Sequence, residues 1–221
     1  MKRFELTAVW RVSGSLHIGT GLSRNGVADR IIRIGPSTGR PMVPGDAVKG
    51  AIRGLAERTV RWLAPTTEPE GRDDSVPKHP ALRRLFRVQS GEALYRFFPA
   101  IHIKGGKPVS VAGTSINPET GVARDETLRV LQSWSGGSTF RLRIEGRGGE
   151  WLDSNSRDYL DLILLLAALV STDGIGGHKG TGQGAVTIED LQLSPLALPD
   201  LADRGLLERL QQSLIREVNG A

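Results

Sequence analysis

The stretch Gly174-Ile175-Gly176-Gly177-His178-Lys179-Gly180-Thr181-Gly182-Gln183-Gly184 decides the fold of this chain by its place among the elements around it. Six of its eleven residues are glycine, and apart from Ile175 the others are small, polar or basic. Such a loop builds no core, exposes backbone N–H groups and lets a second backbone come close. Upstream, Ser156 caps a helix that runs to about Val170 and is apolar nearly all round, hence expected to be buried. Downstream lies a strand over about 184–193. Residues 180–185 formally match G-x-G-x-x-A. A dinucleotide fingerprint, however, follows a strand and opens a helix, and here the order is reversed. The Gly-Lys-Ser/Thr of a Walker A loop opening a helix is also absent. What remains is a loop that takes phosphate or backbone and carries His178 and Lys179.

Outward from this loop the remaining elements fall into order. Phe4, Leu6, Ala8, Trp10 and Val12 alternate with Glu5, Thr7, Val9 and Arg11, the pattern of a half-buried strand. An irregular, glycine-rich segment follows over about 13–45. Pro44-Gly45-Asp46 opens a helix with Asp46 as the expected N-cap, and Val48, Ile52, Leu55, Thr59 and Leu63 recur at helical spacing. Residues 65–80 read as an exposed, acidic, proline-containing loop. A second strand is expected over about 94–103, irregular chain over 104–137, and a third strand around Phe140, Leu142 and Ile144. An amphipathic helix over about 200–218 ends the chain. The order β-α-β-β-α-β predicts an α+β, ferredoxin-like (RRM-like) palm in one domain over 1–221. Its long insertions, at about 13–45, 64–93 and 104–137, exceed what closing the fold requires.

Composition narrows the function. The formal net charge is +5, and 23 of the 29 basic residues are arginine. Arginine binds phosphate bidentately and stacks on bases, which points towards nucleic acid; a GC-rich or thermophilic genome also inflates arginine. There is no cysteine, so disulfides, thiolate metal sites and a cysteine nucleophile are excluded. The strand pattern starts at once, without a signal peptide, and the longest apolar run, Leu162 to Val170, is far short of the ~20 residues of a membrane span. A soluble cytoplasmic protein is expected. Histidines 17, 79, 102 and 178 lack metal-ligand spacing, and no serine sits in a nucleophile elbow. Aromatic residues are 5% of the chain and scattered, so RNA contacts are expected to favour backbone and shape. Lys49 and Arg53 sit one turn apart at the start of their helix, either an anion site or an ordinary solvated face. His17 lies in Leu16-His17-Ile18-Gly19, and Asp29 in Asn25-Gly26-Val27-Ala28-Asp29-Arg30; on local sequence alone Asp29 reads as a surface turn residue.

Together, Leu16-His17-Ile18-Gly19, Val43-Pro44-Gly45-Asp46-Ala47-Val48-Lys49-Gly50 and the Gly176-to-Gly184 loop resemble, in order and spacing, the RAMP superfamily, the RNA-binding subunits of CRISPR effector complexes. Length and motifs are most similar to the small repeated backbone subunit of type III, Csm-type complexes. The resemblance implies a palm with an inserted thumb, here about 104–130, and copies stacked along a guide CRISPR RNA beside other type III effector subunits. It implies cleavage of target RNA at regular six-nucleotide intervals by an aspartate with Mg²⁺ or another divalent metal. Asp29, placed by its spacing from Pro44-Gly45, matches that aspartate, both as catalytic group and as metal ligand. The implied RNA-binding residues are His17, Arg24, Arg30, Lys49, Arg53, Thr114, Ser115, Asn117, Arg124, Gly177, His178, Lys179, Gly180 and Gly182. Where the family pattern has two serines after Pro-Gly, this chain has Asp46 and Ala47, which removes a hydroxyl and adds negative charge near the guide. Two other readings stand beside this one: a structural RNA-binding subunit without cleavage, and a CRISPR-repeat processing endonuclease using a histidine such as His17. The processing enzymes usually have two ferredoxin-like halves, and only one set of elements is found here.

Overall fold

A computed structural model describes residues 3–21, 31–36, 38–65, 79–86, 94–147, 150–151, 153–177 and 179–218. Strand β1 (Arg3–Val12) buries every even-numbered residue from Phe4 to Val12, as its alternation predicts. It pairs antiparallel with β7 (Ser138–Arg147) along its whole length, from Arg3 opposite Arg147 to Val12 opposite Ser138. Its other edge pairs with β8 (Val186–Ser194), with a bulge at Val9/Trp10. β7 in turn pairs with β3 (Tyr95–Phe97) and β4 (Ala100–Lys104), and β4 carries the two-residue edge strand β2 (Met42–Val43). The order β2-β4-β7-β1-β8 is the expected ferredoxin-like sheet. The expected second strand is two pieces because Pro99 has no N–H to give to β7.

Helices α1 (Gly45–Leu63) and α3 (Arg157–Val170) cover one face of the sheet. Ser156 caps α3 as expected, its side chain accepting a hydrogen bond from the Tyr159 N–H. Asp46 does not cap α1: Pro44 holds the N-cap position, no side chain caps it, and Asp46 lies inside the first turn. There its carboxylate complements the helix dipole instead. The buried stripe of α1 is Val48, Ile52, Ala56, Val60 and Leu63, mostly an i, i+4 row, and Leu55 and Thr59 flank it half-buried.

Besides the two-residue β2, one helix and two strands went unread in the sequence. Helix α2 (Pro80–Phe86) buries Ala81, Leu82, Leu85 and Phe86, and its seven residues are too few for a periodic signal. Strands β5 (Pro108–Gly113) and β6 (Arg129–Trp134) form a separate two-stranded sheet within the stretch expected to be irregular. Five of the six residues of β5 are exposed, so no burial alternation marks it. Helix α4 (Arg204–Val218) starts later than expected, after a turn in which the Asp203 side chain accepts from the Gly205 N–H. No helix among the described residues is long and apolar enough to cross a membrane.

A buried ionic cluster ties α2, α3 and α4 together. Arg84 donates to both oxygens of Asp161, at 2.6 and 2.8 Å, and to Glu217 at 2.8 Å. Asp161 is 3% exposed, and burial pushes its carboxyl up to about 6 against the opposing pull of Arg84. His79 accepts the Ala81 N–H at Nδ1, so its proton is on Nε2, which donates to the Leu214 carbonyl. Burial lowers its pKa, which keeps this ring neutral. Arg84→Ala strands two buried carboxylates, and we expect it to cost about 3–5 kcal/mol at neutral pH in urea unfolding. The sign with pH follows from Asp161. Its folded pKa lies above the ordinary value, so its contribution favours the fold at low pH and is lost as pH rises through about 6. Without Arg84 the Asp161 carboxyl is pushed up further, so the deficit of the variant against wild type narrows as pH falls towards about 6 and levels off below it. A deficit that stays constant from pH 7 to pH 5 would show that the loss is one of packing alone.

Candidate nucleic-acid interface

β1 ends at Val12, and the chain beyond it meets the glycine loop and the base of the β5–β6 hairpin. Ser13 N–H donates to the Ala185 carbonyl at 2.9 Å, and Gly184 N–H to Ser15 at 2.7 Å. Leu16 and Trp134 exchange backbone hydrogen bonds at 2.7 and 2.8 Å, which fixes the hairpin to this segment. His17 lies where the three pieces meet and is only 4% exposed. Its Nδ1 is 2.7 Å from the Gln132 carbonyl oxygen, so Nδ1 carries the proton and donates. The His17 carbonyl accepts the Gly177 N–H at 3.0 Å. Gln132 also accepts the Ile32 N–H on its side-chain oxygen at 3.3 Å. His17 thus holds loop, hairpin and first insertion in register, and its side chain is covered. Gln132 shares that work and was not read from the sequence, because nothing local marks a strand glutamine as a joint.

The glycine loop is more tightly built than its composition suggests. Ile175 is fully buried and anchors it to the core. Ile175, Gly177, Gly182 and Gly184 all donate their backbone N–H groups to protein carbonyls. Those four are spent on the fold and do not form an open cradle. Gly176 has φ +80°, and a Cβ there would meet the His17 carbonyl oxygen at 2.5 Å, so glycine is required by packing. The exposed part is Lys179 and Gly180, in the turn of 3₁₀ helix Lys179–Thr181, with Gly182 after it. Around Gly180 and Gly182 there is open space beyond 4 Å, into which a ligand backbone can come close.

The other expected contact residues are dispersed. Lys49 and Arg53 share a face of α1, whose start is set by Gly45 packing on Phe97. Both are half-buried, and Arg53 pairs with Glu57 at 3.3 Å. On the neighbouring face of α1, nothing lies within 4 Å of a Cβ at Gly50 or Gly54, although glycine inside a helix costs about 1 kcal/mol relative to alanine. Thr114, Ser115, Asn117 and Arg124 lie at the far tip of the hairpin. There the Thr114 and Thr127 hydroxyls bond at 2.8 Å, Asn117 accepts the Glu119 N–H, and the Arg124 N–H donates to Ser115. Three of the four therefore shape the tip, and Arg124 is exposed. Arg24, Asp29, Arg30 and His178 lie outside the described residues. On either side of the segment holding Arg24, Asp29 and Arg30, Thr20 N–H donates to the Ile31 carbonyl at 3.1 Å, and Gly19 bridges Ile32. Among the described residues no three His, Asp or Glu side chains converge as a metal site. The open face of the sheet carries Phe98, with the Arg143 guanidinium 3.8 Å over its ring, in place of an aromatic platform.

The profile of the RAMP superfamily matches residues 11–187, from the end of β1 to the start of β8. The chain is a member of the RAMP superfamily. Among solved structures, this RAMP protein is similar to a chain of a type III-B Cmr-beta complex bound to cognate target RNA, determined by cryo-EM. The identity is 14%, the TM-score 0.62, and the match covers 87% of this chain but 61% of that longer one. A second similar chain comes from the apo state of a type III-B Cmr-beta complex, at 10% identity and a TM-score of 0.60, covering 84% of this chain and 96% of that one. Comparison with curated proteins gives no match. Both structures belong to Cmr complexes, whereas the sequence motifs resemble the Csm-type subunit. At these identities the likeness is one of fold.

Gly182 has φ +79°, a conformation that costs a side chain about 1–2 kcal/mol. We expect Gly182→Ala to lower the stability of the RNA-free protein by that amount. Gly180→Ala, in open space and without that conformation, should leave the melt unchanged. Thermal melting of the two variants side by side checks this, and equal destabilisation would mean that Gly180 also packs against the fold.

Proposed function

We propose that this RAMP protein is a guide-RNA-binding backbone subunit of a type III CRISPR effector complex. On this reading copies of the chain stack along the guide CRISPR RNA beside other effector subunits, and Asp29 cleaves the complementary target RNA at six-nucleotide intervals. The observation that carries the reading is the joint at His17. It rigidly joins the glycine loop to the base of a projecting hairpin, and the first insertion leaves and returns beside it at Thr20 and Ile31. The glycine turn, the base of the hairpin and the residues that flank the segment with Asp29 thereby lie together on a ferredoxin-like palm, which supports this reading.

RNA carries its own nucleophile. The 2′-hydroxyl attacks the adjacent phosphorus, the 2′-O–P bond forms and the P–O5′ bond breaks. The 5′-oxygen leaves and takes a proton from solvent, so the products are a 2′,3′-cyclic phosphate and a 5′-hydroxyl. The protein must hold the 2′-oxygen in line, take its proton and offset charge on the phosphate. Asp29 is the proton acceptor in this proposal, and Arg30 and Lys179 are the cations beside the phosphate. A divalent ion such as Mg²⁺ fits one carboxylate supplemented by RNA phosphates, since Mg²⁺ rarely needs an all-protein cage; bound by Asp29, it would supply further charge stabilisation.

The decisive test uses the assembled complex and a labelled target RNA. Asp29→Ala should abolish cleavage and leave target binding nearly intact. Cleavage at the wild-type rate would leave a structural RNA-binding subunit and remove the catalytic assignment. Lys49→Ala with Arg53→Ala should weaken guide binding and lower the slope of log K against log salt by roughly 0.7 for each phosphate no longer neutralised. An unchanged slope across a salt series would show that this face of α1 does not meet phosphate.

A further inference from the structure

Helix α4 lies beyond the residues that match the family profile, and it forms one wall of a cleft of about 480 Å³. The other wall is the turn before α3 and the first turns of that helix. On α4 the lining residues Arg209, Gln212, Ser213 and Arg216 recur at i, i+3, i+4 and i+7, a single stripe facing the cleft. Arg157 faces them from α3, beside Ser154 and Asn155. Three guanidinium groups, two amides and two hydroxyls thus converge from opposite walls.

The charge in this cleft is unbalanced. The acid lining it, Glu217, already pairs with Arg84 at 2.8 Å and with Arg157 at 3.2 Å. Arg209 reaches only long hydrogen bonds, 3.5 Å to the Ser154 carbonyl and 3.4 Å to Asn155. Arg216 has no hydrogen-bond or ion-pair partner among the described residues. Elsewhere Arg11, Arg53, Arg84, Arg143 and Arg147 each have a carboxylate. The polar lining bears on the partner's class. Leu160 is the one apolar residue lining the cleft, so a protein partner would find no cluster of apolar side chains there. Arginine forks with amide and hydroxyl donors are the groups that take RNA phosphate oxygens. No aromatic ring lines the cleft, so bases would not stack there.

We propose that this cleft is a second RNA-backbone site, in which Arg209, Arg216 and Arg157 hold a phosphodiester. It lies at the N-terminal end of α3, whereas the glycine loop follows the C-terminal end; 14 helical residues, about 21 Å, separate them. The site does not depend on the guide-RNA reading, and it would also serve any RNA that passes over this end of the palm.

The test is an NMR titration of the isolated full chain with pyrophosphate, with a single-stranded oligouridylate and with a poly-glutamate peptide. Pyrophosphate and oligouridylate should shift the amides of 154–157 and 209–216. The double variant Arg209→Ala, Arg216→Ala changes two exposed helix positions to the best helix former, so the fold is expected to persist. In that variant those shifts should vanish, and the salt slope of oligouridylate binding should fall by about 1.4, two phosphates at roughly 0.7 each. The proposal is overturned if oligouridylate leaves these amides unmoved, if poly-glutamate moves them and RNA does not, or if the variant keeps the wild-type slope. Amides of the glycine loop report separately: their response in the double variant tests the guide-binding reading and not this one.

Discussion

The structure depends on β1 being paired on both edges while one of its faces is sealed. Ten consecutive residues pair with β7, nearly as many with β8, and the five inward side chains are at most 2% exposed. Because side chains alternate along a strand, a one-residue slip would turn Trp10 and Leu6 to solvent and bring Arg11 and Glu5 into the core. The register is therefore set by burial. The chain that leaves β1 at Val12 inherits that precision. Gly137 N–H donates to the Val12 carbonyl at 2.8 Å, and Ser13 and Ser15 bond to the far end of the glycine loop. The position of every element at this end of the palm follows from the one ladder.

His17 converts that placement into a joint. A buried ring that donates to one strand, from a residue whose carbonyl accepts from the glycine loop, couples two pieces that share no ladder. Such coupling is what the proposed function requires, since it would keep a bound RNA at a fixed distance from the projecting hairpin. At the opposite end the ionic cluster of Arg84, Asp161 and Glu217 performs a comparable task for α4. A buried ion pair is a poor source of net stability but a strict requirement once present, because either partner left alone is costly. It orients α4 so that its arginine stripe faces α3.

Much of the fold could be read from the residues. β1 and β7 show clean alternation, α3 has a capping serine and an unbroken apolar run, and the element order excludes the nucleotide-binding alternatives. The short or exposed elements could not be read. In the strand pair β5–β6 five residues of β5 are exposed and the one buried residue of β6 is Ser133, so no hydrophobic period records it. Helix α2 is two turns long and owes its existence to the pocket it fills. Within the site, glycine content marks the loop. It does not distinguish Gly176, which packing requires, from Gly180, which faces open space.

By itself the sequence pointed towards nucleic acid as the ligand and determined the layout of the palm. Arginine excess, absence of cysteine, the glycine loop between helix and strand, and the RAMP-like motifs all depend on local chemistry and on order along the chain. The tertiary structure alone decided which groups meet. It buried His17 and made it a joint, spent four loop N–H groups on the fold, and set Asp46 inside a helix instead of at its cap. It also brought Arg157 opposite Arg209 and Arg216, some 50 residues away in the chain. The reason is physical: hydrophobic period and turn chemistry act between neighbours in sequence. The partner of a buried polar group is chosen by packing among elements, and it appears only when the core has closed.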